Sequence, residues 1–293
     1  MALSWALISG ASTGIGRATT LALLKQNFSV IAGVRSEAAA SRLREKASTI
    51  KSGHLETVTL DVADQASIDA AVAHTTSLVG TDGLRVVINN AGIAVVGPVE
   101  HISPADWRRQ FDVNLFGAIA LTRATLPLLR TGVAAQGRGV PRLLFISSIG
   151  GRVAQPLMSP YTCSKFALSA LGDSLRLELR RQGVGVTVIE PGAFSSDIWA
   201  KGDDSAKEFT PDHPARKLYE TELNGLLALA TKTARNAPPV ERAAEEIVRT
   251  ILAPRAPARV LVGTDAKIAA RMKALLPTSV FDNILAREFG IPK

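Results

Sequence analysis

The stretch Ser4-Trp5-Ala6-Leu7-Ile8-Ser9-Gly10-Ala11-Ser12-Thr13-Gly14-Ile15-Gly16 runs a short apolar segment into a turn carrying three glycines, and an amphipathic pattern from Ile15 to Gln26 follows it. Read together, these are a buried strand, a tight turn and a helix. Gly10 permits the sharp turn, while Gly14 and Gly16 let backbone and helix N-terminus approach a pyrophosphate. A glycine turn between strand and helix also serves purely for tight packing, so the rest of the chain has to decide between the two uses.

Outward from this stretch the same alternation repeats. Strands are expected at Ser4 to Ser9, Phe28 to Val34, Leu55 to Leu60, Leu84 to Asn89, Arg142 to Ser147 and Val184 to Glu190. Between them lie helical patterns at Ala38 to Ile50, Gln65 to Val79, Pro104 to Leu129 and Ser159 to Arg181. Each is long enough to cross between parallel strands, with right-handed connections. The helix beginning near Ser103 carries its own entry signals, a serine cap followed by proline and an acid.

After Pro191-Gly192 the pattern loosens through a polar stretch, Ala200 to Pro214, as far as the Pro238-Pro239 break. Helix Val240 to Leu252 and a short strand, Arg259 to Val262, then add one more unit. In the closing segment Ile268, Met272, Leu275 and Leu276 share one helical face, and after Pro277 so do Phe281, Ile284, Leu285 and Phe289. The expected fold is α/β: one domain over residues 1–293, a doubly wound parallel sheet of Rossmann type, with a helical substrate lid at 194–236 and a helical tail at 264–293.

Composition narrows the function. Across 293 residues, 46% apolar and 20% charged residues suit a globular core and exclude a disordered or collagen-like chain. No run reaches the ~20 apolar residues of a membrane span. The apolar start, Met1 to Ile8, lacks a basic leader and reads as a strand. One cysteine, Cys163, allows no internal disulfide, and four scattered histidines offer no zinc spacing, so a cytoplasmic protein without a metal is expected. The net charge of +8 favours anionic ligands, yet no basic block alternates with aromatics, which argues against nucleic acid.

The spacing G-x-x-x-G-x-G, together with Asn89-Asn90-Ala91-Gly92 after the fourth strand and Tyr161-x-x-x-Lys165, resembles the short-chain dehydrogenase/reductase family. The resemblance runs from Ala2 to about Ser196 and weakens beyond. It implies that Gly10, Ser12, Thr13, Gly14, Ile15 and Gly16 form the cofactor turn, that Asp61 and Val62 meet the adenine ring, and that Asn90, Ala91 and Gly92 shape the cofactor pocket. Pro191 and Gly192 would lie beside the nicotinamide, with Phe194 close by and Ser196 bonding the carboxamide. Apart from the resemblance, Asp61 reads equally as a helix-entry or turn residue.

Charge at the end of the second strand bears on cofactor choice. An acid there would bind the ribose hydroxyls of NAD and repel the 2′-phosphate of NADP. The strand instead ends Val34-Arg35-Ser36. Arg35 is suited to a charge-assisted bond with the phosphate, so NADP is expected in preference to NAD, although a solvated arginine opening a helix would look the same.

Tyr161 and Lys165 are four apart and share a helical face. A phenol near pKa ~10 is a poor base, and an adjacent ammonium would lower that value. An isolated Y-x-x-x-K is commonly only packing, but Ser148 lies thirteen residues before Tyr161 at the end of a strand, and Asn114 falls within the middle helix. The resemblance makes Asn114, Ser148, Tyr161 and Lys165 a catalytic tetrad. By that resemblance Tyr161 would exchange the proton, Ser148 hold the carbonyl oxygen, Lys165 also grip the ribose, and Asn114 complete a proton relay. Substrate is expected at Ser148, Gly150, Tyr161, Phe194 and Trp199, with Ile198, Phe209, Leu218 and Tyr219 as further apolar lining.

Ser148-Ile149-Gly150-Gly151, the run from Tyr161 to Leu168 and the long tail together most resemble the hydroxysteroid and retinol dehydrogenase branch. The expected activity is NADP-dependent interconversion of a hydrophobic ketone or aldehyde and its alcohol, reduction being the expected direction. A 3-ketoacyl reductase and an idle cofactor sensor are the alternatives. A homodimer or homotetramer through the two long middle helices is implied. The basic tail has two uses open to it, packing on the lid or a neighbouring subunit, which is favoured, and contact with a membrane surface.

Overall fold

The computed structural model describes residues 4–134, 140–195, 209 and 213–292. Seven strands form one sheet: β1 (Ser4–Ile8), β2 (Phe28–Val34), β3 (His54–Thr59), β4 (Val86–Asn89), β5 (Arg142–Ile146), β6 (Gly185–Pro191) and β7 (Arg259–Val262). All pairings are parallel, in the order β3-β2-β1-β4-β5-β6-β7. The order reverses between β1 and β4, and the crevice where an open α/β sheet takes its ligand lies outside the carboxyl ends of these strands.

Helices cover both faces. On one, α1 (Gly14–Lys25) and α2 (Glu37–Ala47) pack with α9 (Val240–Leu252) over a core that includes Ile8, Leu23, Val30, Leu43 and Ile247. On the other, α3 (Gln65–Val79), α5 (Gly117–Ala134) and α6 (Ser159–Glu178) cover Leu7, Ile31, Val87, Leu121, Phe145 and Leu168. Burial on both faces explains why β2 is apolar or small at every position except Ser29 and is buried throughout. Polar side chains fix the helix starts. Ser36 accepts from Ala39 N at the head of α2, and Asp64 accepts from Ala66 N at the head of α3.

The expected strands and crossover helices are present, with ends shifted by a few residues. One element differs. The helix expected from Pro104 to Leu129 is α4 (Pro104–Phe111), a π-helical turn over Asp112–Phe116, and then α5. The wider turn inserts a residue, rotating α5 relative to α4 and carrying Asn114 into the interior. Ser103 caps α4 as its sequence predicts, accepting from Asp106 N.

Beyond β6, the irregular stretch resolves into α7 (Pro214–Leu218) and a seventeen-residue α8 (Glu220–Asn236). The tail forms α10 (Thr264–Leu275) and α11 (Thr278–Glu288). Phe209, Leu223, Leu226 and Phe289 join Ala94, Leu157, Met158 and Tyr161 in a third core. Among the described residues, no helix is long and apolar enough to cross a membrane.

Candidate active site

The β1–α1 turn is a close-packed cradle. Gly10 and Gly14 take φ of +66° and +53°, and a Cβ on Gly16 would lie 2.2 Å from Gly10 O and 2.4 Å from Asn90 Nδ2. Asn90 braces the turn from β4, donating through Nδ2 to Ser9 O and Gly10 O, both at 3.0 Å. Ser9 Oγ in turn accepts from the backbone of Asn90 and Ala91 at 3.1 Å.

A cavity of about 360 Å³ opens over this cradle. Gly10, Ser12, Thr13, Gly14, Ile15 and Gly16 form its floor, Arg35, Asp61 and Val62 one end, and Asn90, Ala91, Gly92, Tyr161, Lys165, Pro191, Gly192 and Phe194 the other. Glycine backbone at a helix N-terminus, a cation at one end and a phenol–ammonium pair at the other suit a phosphate-bearing dinucleotide. Asp61 Oδ1 accepts from Ala63 N at 3.0 Å, so the residue also closes a local turn. Sequence reasoning missed further wall residues, Arg109, Val113 and Ile93 among them. Arg109 comes from α4, Val113 from the π turn and Ile93 from just beyond the Asn89–Gly92 motif.

Tyr161, Lys165 and Ser148 line this cavity, and Asn114 lies behind Gly92 beside Lys165. Ser148 follows β5 and caps the next turn, its Oγ accepting from Gly150 N at 3.0 Å. It also hydrogen-bonds the Tyr161 side chain. One turn along α6, Lys165 is only 3% exposed and donates from Nζ to Ile146 O at 2.8 Å. Asn114, 1% exposed, donates from Nδ2 to Ile93 O and to Ser164 Oγ, both at 3.0 Å. Asn114 Oδ1 and Lys165 Nζ flank one point, lying 3.4 and 3.5 Å from where a Cβ on Gly92 would stand. Ser147 secures the frame, pairing through Oγ with Ser169 Oγ at 2.8 Å and donating to Lys165 O at 3.1 Å.

Electrostatics depart from the simple expectation for a tyrosine beside an ammonium. Burial pushes the Tyr161 phenol above its ordinary value, and the Ser148 bond only partly opposes this. Lys165 Nζ stands 5.8 Å from the Tyr161 ring centroid and is itself pushed down to about 8 by desolvation. Low dielectric therefore outweighs the mutual attraction of phenolate and ammonium, and the resting phenol is held protonated.

A second cavity, of about 750 Å³, meets the first at Ser148, Tyr161 and Gly192. Gly150, Val153 and Met158 form one wall. Leu226 and Leu229 of α8 form another, and the tail supplies Ile268, Met272, Phe281, Ile284 and Leu285. Of the residues expected to contact substrate, Ser148, Gly150 and Tyr161 lie here, whereas Phe194 lines the first cavity. Trp199, Ile198 and Ser196 lie outside the described residues. Phe209 packs into the third core, against Gly97. Leu218 is 69% exposed, and Tyr219 reaches outward, donating to Glu100 Oε1 at 2.6 Å. The tail faces were legible as amphipathic, but it is a tertiary fact that Ile268, Met272, Phe281, Ile284 and Leu285 line this cavity while Leu275 stays exposed and Phe289 joins the third core.

Comparison with known proteins agrees with this architecture. A family model described as short chain dehydrogenase matches residues 4–207. An NADPH-dependent 3-dehydrocapnine reductase of Ornithobacterium rhinotracheale is 30% identical over 290 residues, 98% of this chain and 97% of that protein. The 17-beta-hydroxysteroid dehydrogenase type 6 of Bos taurus is 33% identical over 299 residues, 97% and 88% of the two chains. A short-chain dehydrogenase from Streptomyces avermitilis superposes with a TM-score of 0.75 at 27% identity, covering 98% of this chain and 95% of that one. With the glycine cradle on a parallel seven-stranded sheet and a match over most of its length, the chain belongs to the short-chain dehydrogenase/reductase family of oxidoreductases, which act on CH–OH and carbonyl groups.

Proposed function

We propose that the protein uses NADPH to reduce the carbonyl of a hydrophobic ketone or aldehyde to the alcohol. The observation that carries this reading is the shared wall. Ser148 and Tyr161 border both the dinucleotide-shaped cavity and the larger, mostly apolar one. A carbonyl presented from the second cavity would meet a hydroxyl pair facing the first.

In this reading Gly10, Ser12, Thr13, Gly14, Ile15 and Gly16 receive the pyrophosphate, Asp61 and Val62 the adenine, and Pro191, Gly192 and Phe194 the nicotinamide end, with Asn90, Ala91 and Gly92 shaping the pocket wall. Ser196 remains proposed as the carboxamide partner. Arg35 takes the 2′-phosphate. The nearest acid along the chain, Glu37, is engaged by Arg44 and sits on an exposed helix turn. The NADPH dependence in the name of the Ornithobacterium relative supports the cofactor choice and the reductive direction. When bound, NADPH supplies the hydride.

The chain's own groups handle the proton. Tyr161, held protonated by burial, donates its proton to the substrate oxygen. Ser148 Oγ hydrogen-bonds that same oxygen and stabilises charge developing there. Lys165 carries a proton that burial has loosened to a pKa of about 8, suiting it to return one to the phenolate and to bind the ribose. Asn114 holds the relay's inner end beside Lys165.

The 194–236 lid and the 264–293 tail enclose the substrate, and Trp199 is proposed to reach it from the lid. The lining of the second cavity by Met272, Phe281, Ile284 and Leu285 of the tail supports packing over membrane attachment. Self-association through α5 and α6 is supported by Phe116, just before α5, and Phe166 on α6, 56% and 43% exposed. A reducing cytoplasm suits the single cysteine, Cys163.

The test is NADPH oxidation against a panel of hydrophobic ketones by the wild type and by Tyr161→Phe, with NADPH binding followed by fluorescence. Expected is turnover that drops at least a thousandfold in the variant while NADPH binding is kept. Equal turnover by both proteins would remove Tyr161 from the reaction. Tight NADPH binding without turnover of any carbonyl would favour a cofactor sensor.

A further inference from the structure

The turn Pro191-Gly192-Ala193 at the end of β6 separates the two cavities, Gly192 lining both. It is gripped by a residue far along the chain. Asp265, in the first turn of α10, accepts from Ala193 N through Oδ2 at 2.7 Å. Its carboxylate is seated directly on glycine, since a Cβ on Gly192 would lie 2.3 Å from both Oδ1 and Oδ2. A Cβ on Gly263, at φ +102°, would lie 2.6 Å from Oδ1. Two glycines are thus needed where one carboxylate sits, and the helix N-terminus favours its charge there.

The same turn is anchored from other directions. Gly192 N donates to Val262 O at 2.8 Å, tying it to β7. Glu190, fully buried immediately before the turn, accepts from Arg152 Nε at 2.7 Å and from Arg259 Nη1 at 2.5 Å. Arg152 follows the Ser148–Gly151 segment, so the turn and the serine loop are cross-braced. Those anchors belong to the sheet and its first loops. Asp265 belongs to the tail, and it also lines the substrate cavity.

We propose that Asp265 is a positioning residue that sets the 191–193 turn for the nicotinamide end of the cofactor, making the substrate-enclosing tail part of the cofactor site. This rests on the NADPH-dependent reading above. Its chemistry is one backbone hydrogen bond and one close steric fit, with no covalent step. A consequence is that tail packing, and hence occupancy of the second cavity, bears on cofactor affinity.

The experiment uses full-length wild type, Asp265→Ala and Asp265→Asn, measuring NADPH affinity without substrate by fluorescence titration, kcat and KM for a ketone from the panel, and the isotope effect with NADPH deuterated at the transferred position. Asp265→Ala is expected to bind NADPH at least tenfold more weakly and to lower kcat at least tenfold with a changed isotope effect. Asp265→Asn keeps an acceptor oxygen for Ala193 N and is expected within threefold of wild type. Wild-type affinity and kcat in Asp265→Ala would overturn the proposal, as would an Asp265→Asn variant, folded by circular dichroism, that loses as much as the alanine. A wild type that neither binds NADPH nor oxidises it with any carbonyl would instead defeat the functional reading itself.

Discussion

Asn114 holds the Ile93 peptide at both ends, its Oδ1 accepting from Ile93 N at 2.8 Å and its Nδ2 donating to Ile93 O at 3.0 Å. Gln110, one turn earlier, grips the same segment, accepting from Val95 N at 2.6 Å and donating to Ile93 O at 2.9 Å. The two amides tie the chain after β4 to the helix layer at the point where it passes Lys165. Both side chains face inward because they are four residues apart and share one face of the helical run, Asn114 lying within the π turn.

Replacing Asn114 by leucine keeps volume but strands Ile93 N–H without its acceptor in a buried setting. An unsatisfied buried group costs about 1–3 kcal/mol. Urea denaturation should therefore show a loss of about 2 kcal/mol with an unchanged m-value, and carbonyl reduction should fall at least a hundredfold. An equally stable, fully active Asn114→Leu protein would mean the amide is only filling space.

Lys165 should be a site where function opposes stability. Its pKa is lowered by burial from the ordinary 10.5 to about 8, so charging it in the folded state is disfavoured by about 3 kcal/mol relative to the unfolded chain. Lys165→Met removes that cost but also the bond to Ile146 O, worth about 1 kcal/mol. The inactive variant should be more stable than wild type by about 2 kcal/mol at pH 7. Between pH 8 and 10.5 the unfolded wild type binds more protons than the folded one, so wild-type stability gains on the variant and the difference shrinks across that window. Parallel stability curves for the two proteins from about pH 7 to 10 would contradict the assignment.

Cofactor choice should turn on Arg35. A charge-assisted bond contributes about 1.5–3 kcal/mol, which corresponds to roughly 10–100-fold in binding. Arg35→Ala should weaken NADPH binding by that range and leave NADH within about threefold. Arg35→Asp should go further and invert the preference, because an acid there repels the 2′-phosphate. Titration of both cofactors against both variants checks this, and an unchanged NADPH to NADH ratio would relegate Arg35 to a solvated surface cation.

The sheet was legible because each strand carries its own local signal. Buried parallel strands such as Val30-Ile31-Ala32 must be continuously apolar, and a glycine turn or capped helix brackets each one. The glycine turn and the Tyr161–Lys165 pair were legible because turn chemistry and helical spacing fix them locally, whereas Ser148 and Asn114 lie on other elements and were singled out only through the family resemblance. The π turn was not, since Asp112-Val113-Asn114-Leu115-Phe116 fits an α-helix equally well and only packing against Ile93 selects the wider turn. Asp265 gave no signal either. Its partner Ala193 is 72 residues distant and the contact is to backbone, which leaves no trace in residue type except a glycine at 192 that the P-G turn already accounted for.

The second cavity depends most heavily on such distant contacts, and so it gives the sharpest test of substrate size. Ile268 stands on α10 facing the cavity, and Phe281 beneath it is buried with Lys273 Nζ 5.1 Å from its ring centroid. Ile268→Trp adds volume inside the cavity without touching the cofactor cradle. KM for bulky ketones should rise at least tenfold, while small ketones and NADPH affinity stay within about twofold. Phe281→Ala should act through packing instead, costing about 3–5 kcal/mol of stability and loosening both tail helices. If the tail's apolar face served a membrane surface rather than this cavity, Ile268→Trp would leave every KM unchanged and strengthen co-sedimentation with anionic vesicles at low salt. Kinetics across ketone size together with one vesicle pull-down therefore separates the two uses of the tail.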